Sequence, residues 1–322
     1  MLIRMVCPAP PGSLYGNRVT AERWARILRS LGHRVAIAPG YEDEKCDALV
    51  ALHARRSAEA VFRFRRRFPE TPLIVALTGT DLYRDIRRSQ RARRALEAAD
   101  RFVALQPLAA DELAPHLRRK LRVIYQSADP TRGHVRRAHD FFDVCVAGHL
   151  RAVKDPFRAA SAARLLPLDS RIRVLHAGGA MKPAMAQKAL AEQARNARYR
   201  WLGPLSRART RRLIAQSNVL VLSSRMEGGA NVISEAVVDG TPVLASRIPG
   251  SVGLLGERYP GYFPVGDTNA LSRLLARAES DSAFYLRLRS HIKRLAPLFR
   301  PVEERARWKE LLADLTRHQT RK

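Results

Sequence analysis

The chain has 322 residues, 46% of them apolar, with 58 Lys and Arg against 30 Asp and Glu for a formal net charge of +28. That length suits about two domains with full hydrophobic cores, since domains commonly run about 100–200 residues. No stretch approaches the ~20 apolar residues of a membrane span, and residues 1–8 are too short and lack a signal-peptide cleavage site, so a cytoplasmic location with no membrane span is expected.

The charge invites a nucleic-acid reading. Yet only eight of the 58 basic residues are lysines, and the basic residues are spread along the chain. The densest run, with Arg84, Arg87, Arg88, Arg91 and Arg94 at helical spacing, reads first as one solvated helix face. Few aromatics interleave with it, so the stacking platforms of single-strand binders are missing and no specific nucleic-acid partner is expected. Cys7, Cys46 and Cys145 are widely spaced, with no CxxC pair or Cys/His cluster. They read as small buried hydrophobes, with no structural zinc.

In chain order, apolar runs predict strands at 3–8, 34–38, 48–53, 73–78, 102–106 and 122–126. Between the first two, Trp24, Ile27, Leu28 and Leu31 mark one face of a helix over 20–31, closed by Gly32. Residues 128–140, polar and containing Pro130 and Gly133, are the best linker. The pattern then restarts, with strands at 142–147, 172–176, 199–202, 219–223, 242–245 and 262–265. Helices are predicted at 156–166, 184–196, 207–215, 232–238, 268–277, 283–295 and 302–316. Strand–helix alternation with continuous apolar strands is the pattern of parallel, doubly wound α/β sheets. The expected domains are 1–135, with a C-terminal helix at about 300–322 packing back on it, and 136–299. A ligand cleft is expected between them.

The sharpest constellation is 223–235 (SSRMEGGANVISE). A strand ends there, a glycine loop follows, and a helix starts near Asn231, a good N-cap residue. Gly228 and Gly229 let backbone approach a ligand, and the helix N-terminus suits a diphosphate. Glu235, in the first turn, can accept hydrogen bonds from ribose hydroxyls, and Glu227 faces where a sugar would lie. The same features also describe an ordinary capped helix after a glycine turn.

In 148–156 (GHLRAVKDP), Arg151 and Lys154 could clamp a leaving diphosphate. A surface loop of an arginine-rich protein would look alike. In 11–20 (PGSLYGNRVT), Gly12, Gly16 and Thr20 are expected to be loop and cap residues before the first helix, with Arg18 adding a cation. The segments 52–57 (LHARRS) and 77–82 (LTGTDL) end successive strands. They make His53 a candidate base, although a lone histidine is more often structural.

Glu227 and Glu235, with seven residues between them, followed by 239–243 (DGTPV), resemble the donor-site signature of the family-4 retaining glycosyltransferases. The resemblance implies the GT-B fold, two Rossmann-like doubly wound domains facing an interdomain cleft. It implies Glu227 beside the transferred sugar, Glu235 on the ribose, and the amides about Gly228, Gly229, Ala230, Asn231 and Val232 on the phosphates. The family's Arg and Lys, five apart, fall here on His149 and Lys154; His149 departs from the pattern, leaving Arg151 to supply the cation. Residues 78–81 (TGTD) resemble a His-Gly-Thr-Asp segment of bacterial members, with Thr78 in place of the histidine.

A closer resemblance, carried by 16–21, 51–57, 76–83, 123–127, 224–231 and 261–267, is to the selenosugar synthases of selenoneine biosynthesis. It implies transfer of N-acetylglucosamine from UDP-N-acetylglucosamine to selenophosphate, forming a C–Se bond. Selenophosphate is already an anionic nucleophile, so it needs a cationic seat more than a general base. The expected catalytic residues are Glu227, Lys154, Arg151 and His53. The expected acceptor residues are Gly16, Asn17, Arg18, Arg55, Thr78, Gly79 and Thr80. No DxD-type motif stands near the donor segment, so neither cofactor nor metal is expected. A transferase with a hydroxyl or thiol acceptor would share the donor features; a basic nucleic-acid-binding protein is the rival of another class.

Overall fold

The computed structural model describes residues 1–13, 15–79, 81–133 and 135–319. Thr80, expected in the acceptor set, and His134, in the linker segment, lie outside the described residues. The chain divides into two compact units, Met1–Gln126 with the chain from Pro301 onward, and Ser127–Arg300.

The first unit carries β1 (Leu2–Val6), α1 (Gly16–Ser30), β2 (Arg34–Ala38), β3 (Ala48–Leu52), α2 (Ala58–Arg67) and β4 (Leu73–Leu77). A π-type turn (Asp81–Asp85), α3 (Ile86–Arg88), α4 (Gln90–Ala98), β5 (Arg101–Ala104), α5 (Pro115–Arg118) and β6 (Leu121–Val123) follow. Its strands stand in the order β2-β1-β3-β4-β5-β6, all pairs parallel. Strand side chains alternate between faces. Leu49, Ala51, Leu73, Val75 and Leu77 pack with Val61 and Phe64 of α2 and Leu96 of α4. Ala48, Val50, Leu52, Ile74 and Ala76 pack with Trp24 and Leu28 of α1. Strands buried on both faces read as unbroken apolar runs, which is why they were visible in the sequence.

The second unit carries β7 (Phe142–Ala147), α6 (Arg158–Ala163), β8 (Ile172–Ala177), α7 (Pro183–Arg195), β9 (Tyr199–Trp201) and α8 (Arg207–Gln216). Then come β10 (Val219–Leu222), α9 (Asn231–Val238), β11 (Val243–Ser246), α10 (Pro249–Leu255), β12 (Tyr262–Phe263), α11 (Thr268–Ser280) and α12 (Ser282–Leu295). The order β12-β11-β10-β7-β8-β9, again all parallel, is the Rossmann arrangement. In such sheets ligands bind beyond the strands' carboxyl ends where the order reverses. That point lies between β7 and β10 in the second unit, and between β1 and β3 in the first.

The last helix, α13 (Pro301–Gln319), belongs to the first unit. Trp24 Nε1 donates to Glu304 Oε1 at 2.9 Å, and the Trp24 and Trp308 rings meet edge-on at 5.0 Å. Asp314 accepts from Arg101 at 2.9 Å and Arg122 at 2.8 Å, tying α13 to β5 and β6.

Several expectations need correction. Residue 135 does not end the first unit. Thr131 donates to Asp239 through both N–H and hydroxyl at 2.8 Å, and Arg211 donates to the Asp129 carbonyl at 2.7 Å, so the start of the linker belongs to the second unit. Gly16 opens α1 and Thr20 lies inside it, its hydroxyl accepting from Gln126 at 2.6 Å; neither is a cap, and Tyr15 takes that place. The Arg84–Arg94 run is not one helix face. It spans the π-type turn, α3 and α4, divided at Ser89, whose hydroxyl caps α4 by accepting from the Ala92 N–H at 3.3 Å.

Candidate active site

The switch point of the second unit is built from two loops. The first follows β7 and ends in a 3-10 turn (Ala152–Lys154) that places Lys154. The second follows β10 and carries Ser224 and Glu227. The Lys154 ammonium is ion-paired with the Glu227 carboxylate, and the Ser224 hydroxyl donates to the same carboxylate at 2.7 Å. Backbone locks hold this arrangement. The Ser223 hydroxyl donates to the carbonyls of Lys154 at 3.1 Å and Asp155 at 2.9 Å, and the Arg225 N–H donates to the Val153 carbonyl at 2.8 Å. Gly250, at the start of α10, lies so close that a Cβ there would stand 2.0 Å from the Glu227 carbonyl oxygen.

α9 begins against the second loop. Its N-cap is Ala230, not Asn231, and no side chain caps its amides, so the N-terminal N–H groups keep their capacity for an anion. Asn231 and Val232 are its first two residues, after Gly228 and Gly229. The Asn231 Oδ1 and His149 Nδ1 are buried without a partner among the described residues, and each is a polar atom that a bound ligand could satisfy. Glu235 lies in the second turn of α9, not the first, and is buried. It faces β7 closely enough to help burial keep the Cys145 thiol protonated. Arg151 is exposed and has no ion pair among the described residues.

His176, at the end of β8, supports the β7 loop from beneath. Its Nε2–H donates to the Gly148 carbonyl at 3.1 Å, and its Nδ1 accepts from the Tyr199 hydroxyl at 3.0 Å. Burial lowers its pKa to about 4, so the ring is neutral. Gly178 adds a second close approach, since a Cβ there would stand 1.9 Å from the Gly148 oxygen.

In the first unit, the loops after β3 and β4 meet over two buried carboxylates. Asp81 accepts from the N–H of Ala54 at 3.1 Å and of Gly79 at 2.9 Å, stapling one loop to the other. His53 holds a left-handed backbone (φ 74°) and is 4% exposed. Its Nδ1 accepts from the Arg56 N–H at 3.4 Å, and its Nε2 faces Asp85 at 3.7 Å. Burial lowers its pKa; Asp81 and Asp85 oppose that. Arg55 reaches the Asp85 carboxylate at 3.5 Å and Arg84 at 3.3 Å. The Thr78 hydroxyl donates to Asn17 Oδ1 at 2.7 Å, bringing the start of α1 to the end of β4. Arg18 turns away along α1 to Glu22 at 2.6 Å.

Comparison with known proteins decides the family. The family of glycosyl transferases group 1 matches residues 129–295, just over half the chain. The chain belongs to this family. Among solved structures it is similar to HepE from Anabaena, in complex with UDP, at 16% identity and a TM-score of 0.77, covering 98% of this chain and 100% of that one. It is also similar to sucrose-phosphate synthase from Thermosynechococcus elongatus, at 16% identity and a TM-score of 0.77, covering 98% and 99%. A third, the pneumococcal O-GlcNAc transferase GtfA in complex with UDP and GlcNAc, gives 15% identity and a TM-score of 0.63 over 84% of this chain and 57% of that chain. The fold is that of the GT-B glycosyltransferases.

For this group 1 glycosyltransferase, the structure brings Glu227 and Lys154 into contact, and Thr78 with Asn17. It leaves Arg18 on its own helix. Sequence reasoning passed over Gly178, Gly250, His176 and Asp85, took Ser224 and Asp81 only as members of their segments, and read Arg84 as part of a solvated helix face. Asp81 and Asp85 did carry a signal, two carboxylates four residues apart directly after a buried strand. Among the described residues, no helix is long and apolar enough to cross a membrane.

Proposed function

We propose that this glycosyltransferase transfers N-acetylglucosamine from UDP-N-acetylglucosamine, held in the second unit, to selenophosphate, held in the first. The observation that carries the donor half is the Lys154–Glu227 pair beside the uncapped N-terminus of α9. A cation and free amides beside a carboxylate are what a diphosphate leaving group and a sugar require. HepE with UDP, and the pneumococcal transferase with UDP and GlcNAc, support the choice of nucleotide and sugar.

In the reaction the bond from the anomeric carbon to the diphosphate oxygen breaks, its electron pair leaving with UDP. A selenium lone pair forms the new C–Se bond. Lys154, Arg151, His149 and the α9 amides about Gly228, Gly229, Ala230, Asn231 and Val232 stabilise the charge gathering on UDP. Glu227 lies by the sugar and Glu235 takes the ribose hydroxyls. Water then displaces selenium from phosphorus, and the selenium takes a proton to give the free selenosugar.

An anionic acceptor suits the first unit. His53 Nδ1 already accepts a backbone N–H and its ring is buried, so it offers no free base to deprotonate a hydroxyl. The proposed acceptor contacts are Gly16, Asn17, Arg55, Thr78, Gly79 and Thr80, with Arg18 joining them on leaving Glu22. With the leaving charge met by protein cations and amides, turnover is proposed to need no divalent cation and no cofactor.

The test is incubation with UDP-N-acetylglucosamine and selenophosphate, followed by mass spectrometry. A product with the selenium isotope pattern at the mass of 1-seleno-N-acetylglucosamine is expected, undiminished by excess chelator. Turnover with sugar alcohols or thiols, and none with selenophosphate, would replace the acceptor assignment while leaving the donor half standing.

A further inference from the structure

Two arginines of the first unit converge on one buried oxygen. Arg55 Nη1 lies 3.5 Å and Arg84 Nε 3.3 Å from the same Asp85 Oδ1. The carboxylate side chain is 5% exposed, whereas the guanidinium side chains are 55% and 51% exposed. Asp314 also takes two guanidinia on one oxygen, but those of Arg101 and Arg122 are more buried, with side chains 11% and 38% exposed. At Asp85 one oxygen anchors two, each by one edge, and their other N–H groups face solvent.

The surroundings fix this geometry. Asp85 closes a π-type turn, a form concentrated at functional sites. The backbone of His53, two residues before Arg55, is held left-handed, a conformation that a non-glycine residue keeps only where neighbours enforce it. Asp81 enforces it through the Ala54 N–H, and Asp85 faces the ring. The charges do not cancel. Arg55 and Arg84 both reach Asp85, two cations on one carboxylate, which leaves one net positive charge at that contact with the half-exposed guanidinia on the solvent side.

We propose that Arg55 and Arg84 form a two-armed seat for a tetrahedral, phosphate-class oxyanion, and that Asp85 is the positioning residue that sets their spacing. The inference rests on the reading of the first unit as the acceptor side, and it adds Arg84 and Asp85 to that side. Two guanidinia presenting N–H pairs from different loops match the several oxygens of a tetrahedral anion.

The experiment is calorimetric titration of the full chain, saturated with UDP, at one fixed ionic strength. Inorganic thiophosphate and glucose 6-phosphate serve as probes, so that a free and a sugar-borne anion are told apart. Arg55→Ala and Arg84→Ala, both on exposed side chains, are each expected to weaken the better probe about tenfold, with UDP affinity unchanged. Arg88→Ala removes the same charge from nearby and is expected to leave the affinity unchanged. Asp85→Asn gives the sharper sign. If only net charge mattered, removing a carboxylate would tighten anion binding; a lost anchor weakens it. Equal binding by wild type, Arg55→Ala and Arg84→Ala would overturn the seat, as would an Arg88→Ala effect matching that of Arg84→Ala, or tighter binding by a folded Asp85→Asn. Failure to bind UDP at all would overturn the donor reading instead, and the arginine comparison could still be made without UDP.

Discussion

The two units share a parallel sheet but hold their functional loops by different means. In the second unit the loops after β7 and β10 are locked mainly through the backbone, by the Ser223 hydroxyl on two carbonyls, the Arg225 N–H on a third, and Gly178 and Gly250 pressed against carbonyl oxygens. In the first unit the loops after β3 and β4 hang on two buried side chains, Asp81 and Asp85. The first unit also borrows a helix from the far end of the chain. The Arg225 N–H bond survives most side-chain changes, but the Ser223 hydroxyl, the two glycines and the Asp81 and Asp85 staples can each be lost through one substitution; what the first unit adds is a helix that must dock from the far end of the chain. The first unit should therefore be the more fragile, and the second the more sensitive in its chemistry.

Trp308→Ala should show the largest effect. Trp308 is fully buried against Trp24, and truncating such a ring costs about 3–5 kcal/mol. Hydrogen exchange should show the loss across β1, β3 and α1, with β7 and β10 keeping their protection. Equal deprotection of both sheets would erase the proposed difference between the units. Lys154→Ala comes next. Removing a cation aimed at developing charge costs roughly 10²–10³ in kcat, about 3–4 kcal/mol. The change should appear in UDP release under saturating substrates, with melting unaltered. A loss of less than about threefold would take Lys154 out of the leaving-group site.

The same contrast decides what could be read from sequence. β7 matched its predicted bounds because a strand buried on both faces announces itself as an apolar run; β2 matched too, although it stands at the sheet edge and only Val35 in it is buried. The Glu227 loop was legible because its glycines and helix start are local. α2 was missed, since Arg63, Arg65, Arg66 and Arg67 dilute the apolar spacing of Val61 and Phe64. α10 was missed because Pro249-Gly250 reads as a turn, though Gly250 is there to admit the Glu227 backbone. The early start of α1 comes from tertiary bonds, Thr20 to Gln126 and Asn17 to Thr78, that no local window contains. The role of Asp85 has the same cause. Its partners come from two different loops, so neither loop's sequence shows it.

A smaller effect separates the units by pH, because each buries a histidine at the carboxyl end of a strand. His53 is lowered by burial, but Asp81 and Asp85 pull it back. His176 is lowered by burial to about 4, and only the Gly148 carbonyl opposes the shift. A histidine whose folded pKa lies below its unfolded value of 6.5 stays neutral in the native state while the unfolded chain takes up a proton. Its contribution to stability is complete above about 6.5 and is lost as pH falls towards about 4, on the order of 3 kcal/mol in all. His53 should lose less over the same window. Urea unfolding at a series of pH values should therefore show the second unit weakening first as the solution is acidified, loosening the Gly148 loop and with it the seat of Lys154. His176→Asn, which cannot titrate, should flatten that slope while lowering the plateau near neutral pH. An unchanged slope in the variant would take His176 out of the acid sensitivity of the second unit and leave the Gly148 loop indifferent to that ring's protonation.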